Sequence, residues 1–354
     1  MSSVSVRRRG SRLGAGVAAL VLLAGCGHGT RAPAAAGPTT TVAPSTTAQP
    51  RPATFPLTGL PAANPAAASR AALSIKVENT PPARPQAGLD AADLVTEELV
   101  EGGITRFLAT FESRDAAAVG PVRSARPVDA ALLRQLGGGL FGYAGAAAGE
   151  IAPVKAESTA VLVGFEQAPD AYYRVASRPA PHNLYTSTGR LYRAAARLGT
   201  HPGPPPALFR YAARPPQGRR VELAAVPFSP MPDYTASWRW DAKARLWDRL
   251  QGGRPAMVAG GAPITATNVV VLRVGVGTIP GLVDSLGNPD PNVIVVGRGA
   301  CWVLRDGRVV QGSWERPSIG RVMRLKGPGG QVVPLHPGRT WVELEPVGFG
   351  PRLG

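Results

Sequence analysis

The most chemically suggestive stretch of the sequence is GPVRSARPVD, residues 120–129. It places Arg123 and Arg126 on either side of Ser124, between a Gly-Pro turn and a segment with helical spacing. The first residues of a helix present unpaired N–H groups and the positive end of the helix dipole, so this pattern suits a phosphate or a carboxylate. The alternative is that Ser124 caps the helix while the arginines pair with the protein's own carboxylates. Four glutamates are available as partners: Glu97, Glu98, Glu101 and Glu112.

A second polar group lies in the proline-rich segment RPAPHNLYTST, residues 178–188. His182, Asn183 and Tyr185 offer hydrogen-bond donors and acceptors in a loop that leads into a helix, which we expect to be capped by Ser187 or Thr188 and to end near residue 199. A histidine in such a loop can bind a ligand or act as a general base. The alternative is a loop histidine that is hydrogen-bonded only to backbone.

A third group surrounds the glycine pair in ELVEGGITR, residues 98–106. Two glycines accept positive φ without steric cost, and they predict a two-residue hairpin between strands at 94–101 and 104–111. Glu98, Glu101 and Arg106 flank this turn, where a ligand can approach the backbone closely. The alternative is a solvated hairpin with cross-strand ion pairs.

The common signatures of enzymes and metalloproteins are missing from the sequence. It contains no Walker A run, no H-E-x-x-H, no G-x-S-x-G and no dinucleotide fingerprint within a βαβ unit. His182, His201 and His336 are not spaced as metal ligands, so we expect neither a metal site nor a cofactor. Cys301 lies in an apolar, strand-like run and is expected to be a buried, inert thiol. The six tryptophans are expected to pack in the core rather than to form a sugar-stacking surface.

The net charge of +16 is carried mainly by arginine, since lysine accounts for only four of the 39 basic residues. Arginine pairs bidentately with carboxylates and phosphates, so this composition permits an anionic partner. The chain has no zinc-finger, bZIP or RNA-binding signature. We therefore expect no nucleic-acid partner.

The N-terminus indicates the cellular compartment. Residues 1–25 have a basic start and a short apolar run, as a bacterial signal peptide does. The sequence LAGC that ends at Cys26 is similar to the bacterial lipobox. That resemblance implies diacylglyceryl transfer to Cys26, cleavage before it, and a lipid-anchored protein on the extracytoplasmic face of the cell membrane. The alternative is an ordinary secretory signal with an incidental cysteine.

Composition divides the rest of the chain into four parts. Residues 26–54 are rich in Pro, Thr and Ala and predict a disordered tether. Residues 55–209 mix helical and strand patterns, residues 210–220 read as a linker, and residues 221–348 are rich in strand patterns. WRWDAKARLWDRL and the RDGR turn each predict a hairpin. The predicted fold class is α+β, with a mixed α/β N-terminal domain and a β-rich C-terminal domain.

Several segments together resemble the YerB-like bacterial lipoproteins, a family with an N-terminal and a C-terminal domain of unknown function. The segments are PLTGLPA, RPQAGLDAADLVTEELVEGGITRFLATF, GPVRSARP, APHNLYTST, TNVVV and PGRTWVELEP. They cover residues 55–346, nearly all of the predicted mature chain. The resemblance implies an architecture and an envelope location rather than a reaction. It also favours the three polar loops as a site, because these loops carry the resemblance.

The leading functional hypothesis is an envelope protein that binds an anionic or polyhydroxylated ligand, such as a phosphate-bearing glycan of the cell wall. The expected ligand-binding residues are Arg106, Arg123, Ser124, Arg126, His182, Asn183 and Tyr185. A hydrolase or transferase acting on envelope glycans or phosphodiesters is the first alternative, with His182, Glu101 and Glu98 as the acid–base candidates. A scaffold for partner proteins is the second alternative.

Overall fold

The computed structural model describes residues 53–215, 217–284 and 286–354, which belong to one compact unit. The predicted signal peptide 1–25, the predicted lipidation site Cys26 and all but the last two residues of the tether 26–54 lie outside the described residues. Among the described residues, no helix combines the length and the apolar character that crossing a bilayer requires.

Among the described residues, strands make up 39% and helices 14%, which confirms the α+β class with a β-rich C-terminal region. The helices are α1 (Pro65–Ala68), α2 (Val128–Arg134), α3 (Ala148–Glu157) and α4 (Thr188–Arg197). The first ten strands are β1 (Leu73–Glu78), β2 (Leu94–Leu99), β3 (Thr105–Phe111), β4 (Leu140–Gly142), β5 (Val161–Leu162), β6 (Tyr173–Arg174), β7 (Leu184–Tyr185), β8 (Arg219–Arg220), β9 (Leu223–Pro227) and β10 (Thr235–Asp241). The other ten are β11 (Leu246–Gln251), β12 (Arg254–Pro255), β13 (Thr265–Ala266), β14 (Asn268–Val283), β15 (Pro289–Ile294), β16 (Gly297–Arg305), β17 (Arg308–Arg316), β18 (Arg324–Lys326), β19 (Thr340–Pro346) and β20 (Arg352–Leu353).

In the described chain, twelve strands form one central sheet that draws on both predicted domains. Its order is β18-β17-β16-β14-β19-β2-β3-β1-β4-β5, with β15 paired to β14 and β8 paired to β17. Strand β19 runs parallel to β14 on one side and to β2 on the other, and so joins the strands of the two regions. Within the predicted linker 210–220, β8 pairs with β17.

The central sheet is covered on both faces. One face packs against a second sheet, in the order β12-β11-β10-β9-β20 with β13 on β11, and against α4. We call this the small-sheet face; Val77 of β1 and Phe107 of β3 share its core with Trp238 and Trp247. The other face packs against α2 and α3, and we call it the helix face. Because side chains alternate along a strand, neighbouring residues of one strand serve different faces.

Most local elements match their sequence patterns. The hairpin β10–β11 forms as predicted, and Asp306 and Gly307 turn the β16–β17 hairpin with φ of 51° and 67°. Ser187 caps α4 by accepting a hydrogen bond from the N–H of Arg190 at 3.2 Å. Cys301 is buried, and burial raises the pKa of its thiol to about 12, as expected of an inert cysteine. Four of the tryptophans have at most 2% of their surface exposed: Trp238, Trp247, Trp314 and Trp341.

One local prediction needs correction, and one helix was not predicted. The turn at Gly102-Gly103 is longer than the predicted two-residue hairpin, since β2 ends at Leu99 and a 3₁₀ turn spans Glu101–Gly103. Both glycines do adopt positive φ, at 67° and 72°. The physical reason for the longer loop is that Glu101 folds inward and is buried. Helix α3 was not predicted, because its sequence AGEIAPVKAE contains a proline and only a weak apolar stripe.

Two consecutive glutamates lie in the middle of the sheet with no exposed surface. Glu98 points to the helix face, where Lys76 Nζ contacts it and lies 2.7 Å from Asp129 Oδ1. Glu97 points to the small-sheet face, where its Oε2 lies 2.7 Å from Arg249 Nη2. Each face of the sheet therefore holds a cation beneath its covering layer, because a buried carboxylate needs a partner.

Replacing Lys76 by methionine should lower the free energy of unfolding by about 3–5 kcal/mol near neutral pH, because Glu98 and Asp129 would lose their buried cation. Guanidinium denaturation of the full chain measures this loss. Lys326→Met is the matched control: its Nζ lies 2.7 Å from Glu315 Oε2 in a pair that is about one-third exposed. That change should cost less than about 1 kcal/mol. Equal losses in the two variants would contradict the assignment.

Candidate functional site

A cleft of about 440 Å³ opens on the helix face, beyond the ends of β2 and β3. Its lining comes from the loop around Glu101, from residues 123–126, from the start of α3 and from the arm that joins β14 to β15. Arg106, Arg123 and Arg126 all line it, and we call it the arginine cleft. The first and third polar groups of the sequence therefore converge on one concave surface.

Arg126 is neutralised by the protein itself. Its Nη2 pairs with Glu101 Oε1, its Nη1 lies 3.3 Å from Glu150 Oε2, and its Nε lies 3.9 Å from Asp290 Oδ1. Only 7% of its side chain is exposed. For Arg126 the structure therefore shows the alternative given above, in which the arginine pairs with the protein's own carboxylates.

Arg123 and Arg106 are less fully engaged. Arg123 Nε lies 3.7 Å from Glu78 Oε2, and within the described residues the side chain of Arg123 makes no hydrogen bond. Arg106 Nη1 donates to the carbonyl of Ser124 at 3.1 Å, and its Nη2 lies 4.0 Å from Glu101 Oε2. A guanidinium carries five N–H donors, so both arginines keep donors that no described protein acceptor uses.

Ser124 does not cap α2, so this part of the alternative stated from the sequence is not met. The N-cap position is occupied by Pro127, and the carboxylate of Asp129 accepts the N–H of Arg126 at 2.8 Å. The turn before the helix is therefore stabilised by Asp129, a residue of the helix itself. The Ser124 side chain faces the arginine cleft instead.

His182 is joined to the first polar group through a carboxylate. Its Nδ1 lies 2.9 Å from Glu78 Oε1, an oxygen that also accepts a hydrogen bond from Thr80 Oγ1 at 2.7 Å. The other oxygen of Glu78 is the one that faces Arg123. The partner of His182 is therefore a buried glutamate, whereas the alternative from sequence was backbone.

The remaining members of the second polar group lie elsewhere. Asn183 Oδ1 accepts a hydrogen bond from Arg174 Nη1 at 2.7 Å. Tyr185 is buried and its ring lies 6.2 Å from that of Tyr173, measured between centroids. Neither side chain lines the arginine cleft, and His182 is linked to Arg123 only through Glu78. Two of the three polar loops therefore line one cleft, and the third does not.

The two glutamates expected as acid–base groups differ in their surroundings. Burial raises the pKa of Glu98 to about 7 although Lys76 opposes this shift, and the side chain has no exposed surface for contact with a substrate. Burial also acts to raise the pKa of Glu101, but the hydrogen bond and charge of Arg126 outweigh it and the net pKa is lowered. Glu101 therefore remains an ionised partner of Arg126.

Three acidic residues of the site were not found from the sequence: Glu150, Asp284 and Asp290. Asp284 and Asp290 enter from the β14–β15 arm, more than 150 residues along the chain from Arg126. The turn-forming letters in DSLGNPD mark this arm as a turn, but nothing local indicates which surface it meets. Glu150 Oε2 accepts the N–H of Ala147 at the start of α3, a helix whose pattern is weak.

Glu101, Glu150 and Asp290 each place one oxygen within 4.8 Å of the others. This spacing is within reach of a single Ca²⁺ ion, which binds oxygens at about 2.3–2.6 Å. The guanidinium of Arg126, however, already faces all three carboxylates. The protein itself supplies the positive charge that these groups require.

Comparison with known proteins agrees with this architecture. Residues 57–201 match the N-terminal domain, and residues 224–342 the C-terminal domain, of a family described as "Protein of unknown function (DUF3048)". The chain belongs to this family.

The chain is 29% identical over 298 residues to "Putative lipoprotein YerB" of Bacillus subtilis (strain 168), covering 82% of this chain and 86% of that protein. It is also similar to the crystal structure of YerB from Bacillus subtilis, with a TM-score of 0.73 and 26% identity over 85% of this chain and 99% of that one. The name of that relative describes a "putative lipoprotein", the class that the N-terminal sequence of this chain predicts.

Asp290 gives the site a testable pH dependence. Burial raises its pKa to about 6 from an ordinary 3.8, the charge of Glu101 adds to this, and Arg126 opposes it. Between these two values the folded protein binds more protons than the unfolded chain, so stability falls as pH rises, and the penalty is complete above about pH 6. Asp290→Asn should therefore raise the free energy of unfolding by about 1–3 kcal/mol near pH 8.

Urea denaturation between about pH 4 and pH 8 measures this gain and should show a flatter profile for the variant. Asp284→Asn is the control of opposite sign, because hydrogen bonds from Asn288 lower the pKa of Asp284. That variant should lose stability near pH 8. A destabilised Asp290→Asn protein would show that the Asp290 charge is favourable in the fold.

Proposed function

We propose that this protein is a lipid-anchored envelope protein that binds an anionic group of a wall polymer, such as a phosphodiester or a carboxylate, in the arginine cleft. The observation that carries the proposal is the state of Arg123. Its side chain lines a concave surface, is 26% exposed, and makes no hydrogen bond to the described residues, although Nε lies 3.7 Å from Glu78 Oε2.

The chemistry of recognition follows from three donors. Arg123 offers its free N–H groups, Arg106 offers those not used by the Ser124 carbonyl, and Ser124 adds a hydroxyl. Guanidinium groups bind carboxylates and phosphates through paired, charge-assisted hydrogen bonds. Arg106 is 5% exposed and already held in place, so little conformational entropy is lost when a ligand binds.

Arg126 has a positioning role. Its contacts with Glu101 and Glu150 tie the loop of residues 123–126 to the turn after β2 and to α3. This arrangement fixes the backbone on which Arg123 and Ser124 are carried. The volume of about 440 Å³ lies within the range of about 300–1,000 Å³ that small-ligand sites occupy, so one or a few polymer units would fill the cleft.

A second candidate function, a hydrolase or transferase on envelope polymers, is favoured by the contact between His182 and Glu78. A carboxylate at Nδ1 orients an imidazole so that Nε2 can accept a proton. The contact is 2.9 Å long, but His182 lies outside the lining of the arginine cleft. The binding function needs no such group within reach of the ligand and accounts better for the geometry.

The proposed binding is tested with poly(glycerol phosphate) as the probe and the full chain in lipid nanodiscs. Arg123→Gln should weaken binding by about tenfold or more in calorimetry, because a charged hydrogen bond contributes about 1.5–3 kcal/mol. Arg193→Gln, which removes the same charge from the exposed face of α4, should leave affinity unchanged. Equal affinity in the Arg123 and Arg193 variants, or equal binding of neutral dextran, would refute the assignment.

The proposed anchor is the lipid on Cys26, and the chain offers its own control because it contains only two cysteines. Cys26→Ser should release the protein from the membrane fraction, since the thiol that accepts the diacylglyceryl group would be gone. Cys301→Ser should leave the protein in that fraction, because Cys301 is buried in the folded chain. Fractionation with immunodetection measures both. A Cys26→Ser protein that stays in the membrane would exclude the lipid anchor.

A further inference from the structure

A second and larger cleft, of about 630 Å³, opens on the small-sheet face of the central sheet. It lies where the turn after β1 meets β11, β12 and the segment that follows them. Strand β3 separates it from the arginine cleft, because Phe107 lines this cleft while its neighbour Arg106 lines the other. We call it the Arg84 cleft. None of the residues assigned to the proposed function contributes to it.

Arg84 is held at the wall of this cleft by neutral acceptors. Its Nε donates to Asn79 Oδ1 at 3.1 Å, and its Nη2 donates to the carbonyls of Asn79 at 2.8 Å and Asp233 at 3.3 Å. The guanidinium also lies 5.6 Å from the ring centroid of Tyr234. Arg84 is thus fixed in one orientation, and among the described residues its hydrogen-bond partners are neutral oxygens.

Arg254 adds a second positive charge to the same cleft. It lies on β12, is exposed, and in the described chain has no carboxylate within ion-pair distance. Asp233 is the acidic residue of the lining, and its carbonyl also accepts a hydrogen bond from Gln251. The cleft therefore has an excess of positive charge, whereas in the arginine cleft carboxylates balance Arg126.

The floor of the cleft is Arg249, whose charge is already balanced. Its Nη1 lies 3.0 Å from Glu343 Oε1, its Nη2 binds Glu97, and its guanidinium lies 4.7 Å from the ring centroid of Trp341. Burial raises the pKa of Glu343, and the adjacent Glu97 adds to this shift while Arg249 opposes it. The charge of Arg249 is therefore engaged by carboxylates within the protein.

This floor orients the polar groups at the surface. Asn79, which holds Arg84, donates to Glu97 Oε1 at 3.1 Å, and Gln251 accepts from Arg249 Nη2 at 2.7 Å. Around them the wall is apolar: Pro81, Pro85, Pro255 and Met257 line the cleft, and Met257 is 36% exposed. Pre-organised donors beside a flat apolar wall are the usual composition of a small-molecule site.

We propose that the Arg84 cleft is a second binding site, for a small ligand that joins one oxyanion, a carboxylate or a phosphate monoester, to a flat apolar ring. Arg84 and Arg254 bind the oxyanion. The prolines and Met257 contact the ring. This site is independent of the arginine cleft, since the two lie on opposite faces of the sheet.

The test uses phenyl phosphate and benzoate as probes, with the full chain in nanodiscs and empty nanodiscs as the blank for partitioning. At least one of the two should bind, and benzyl alcohol and inorganic phosphate should each bind about tenfold more weakly, because each lacks one half of the recognised group. The tighter of the two probes identifies the oxyanion. The proposal is overturned if neither probe binds. It is also overturned if benzyl alcohol binds with the same affinity as phenyl phosphate and benzoate.

Variants locate the binding. Arg254→Gln should weaken binding of the tighter-binding probe by about fivefold or more. Folding should be unaffected, because the Arg254 side chain is exposed. Arg193→Gln is the matched control. Arg84→Gln should also weaken it, with the melting temperature as the check on its fold. Unchanged affinity in both Arg254→Gln and Arg84→Gln overturns the assignment. So does a loss caused by Arg123→Gln, since Arg123 lines the arginine cleft and does not line the Arg84 cleft.

Discussion

The structure depends on the neutralisation of two adjacent glutamates in the middle of a buried strand. Glu97 and Glu98 point to opposite faces of the central sheet, so a buried cation is needed beside the carboxylate on each face. Lys76 does this on the helix face and Arg249 on the small-sheet face. A buried carboxylate without such a partner would cost several kcal/mol. On the small-sheet face the partner comes from β11 of the second sheet, and on the helix face it comes from β1 of the central sheet itself.

Both clefts are built on these two buried pairs. On the helix face, Lys76 also holds Asp129, and Asp129 accepts the N–H of Arg126, so the charge pair in the core positions the loop that carries Arg123. On the small-sheet face, Glu97 holds Asn79, which in turn fixes Arg84. The polar core therefore acts as the scaffold for two surfaces that present arginine.

The arginine cleft shows how much of a functional site can be predicted from the sequence. The loops of residues 98–106 and 123–126 were expected to form one site, and both line the same cleft because Val122 pairs with Val77 of β1, the strand next to β3. The sequence shows glutamates that could pair with an arginine, but it does not show which arginine they contact. Glu101 and Glu150 make the shorter contacts with Arg126. Asp290 adds a third carboxylate at 3.9 Å, and it reaches Arg126 only because it is carried by the β14–β15 arm of the C-terminal region.

The sequence by itself determined the features that depend on neighbouring residues. These are the hairpins β10–β11 and β16–β17, the Ser187 cap of α4, the positive φ of Gly102 and Gly103, and the α+β class, all set by backbone preferences within a few residues. The tertiary structure decided the single sheet through β19, the burial of Glu98 against Lys76, the pairing of His182 with Glu78, and the Arg84 cleft. Each of these joins segments far apart in the chain, and local preferences carry no information on which distant partner a buried charge will find.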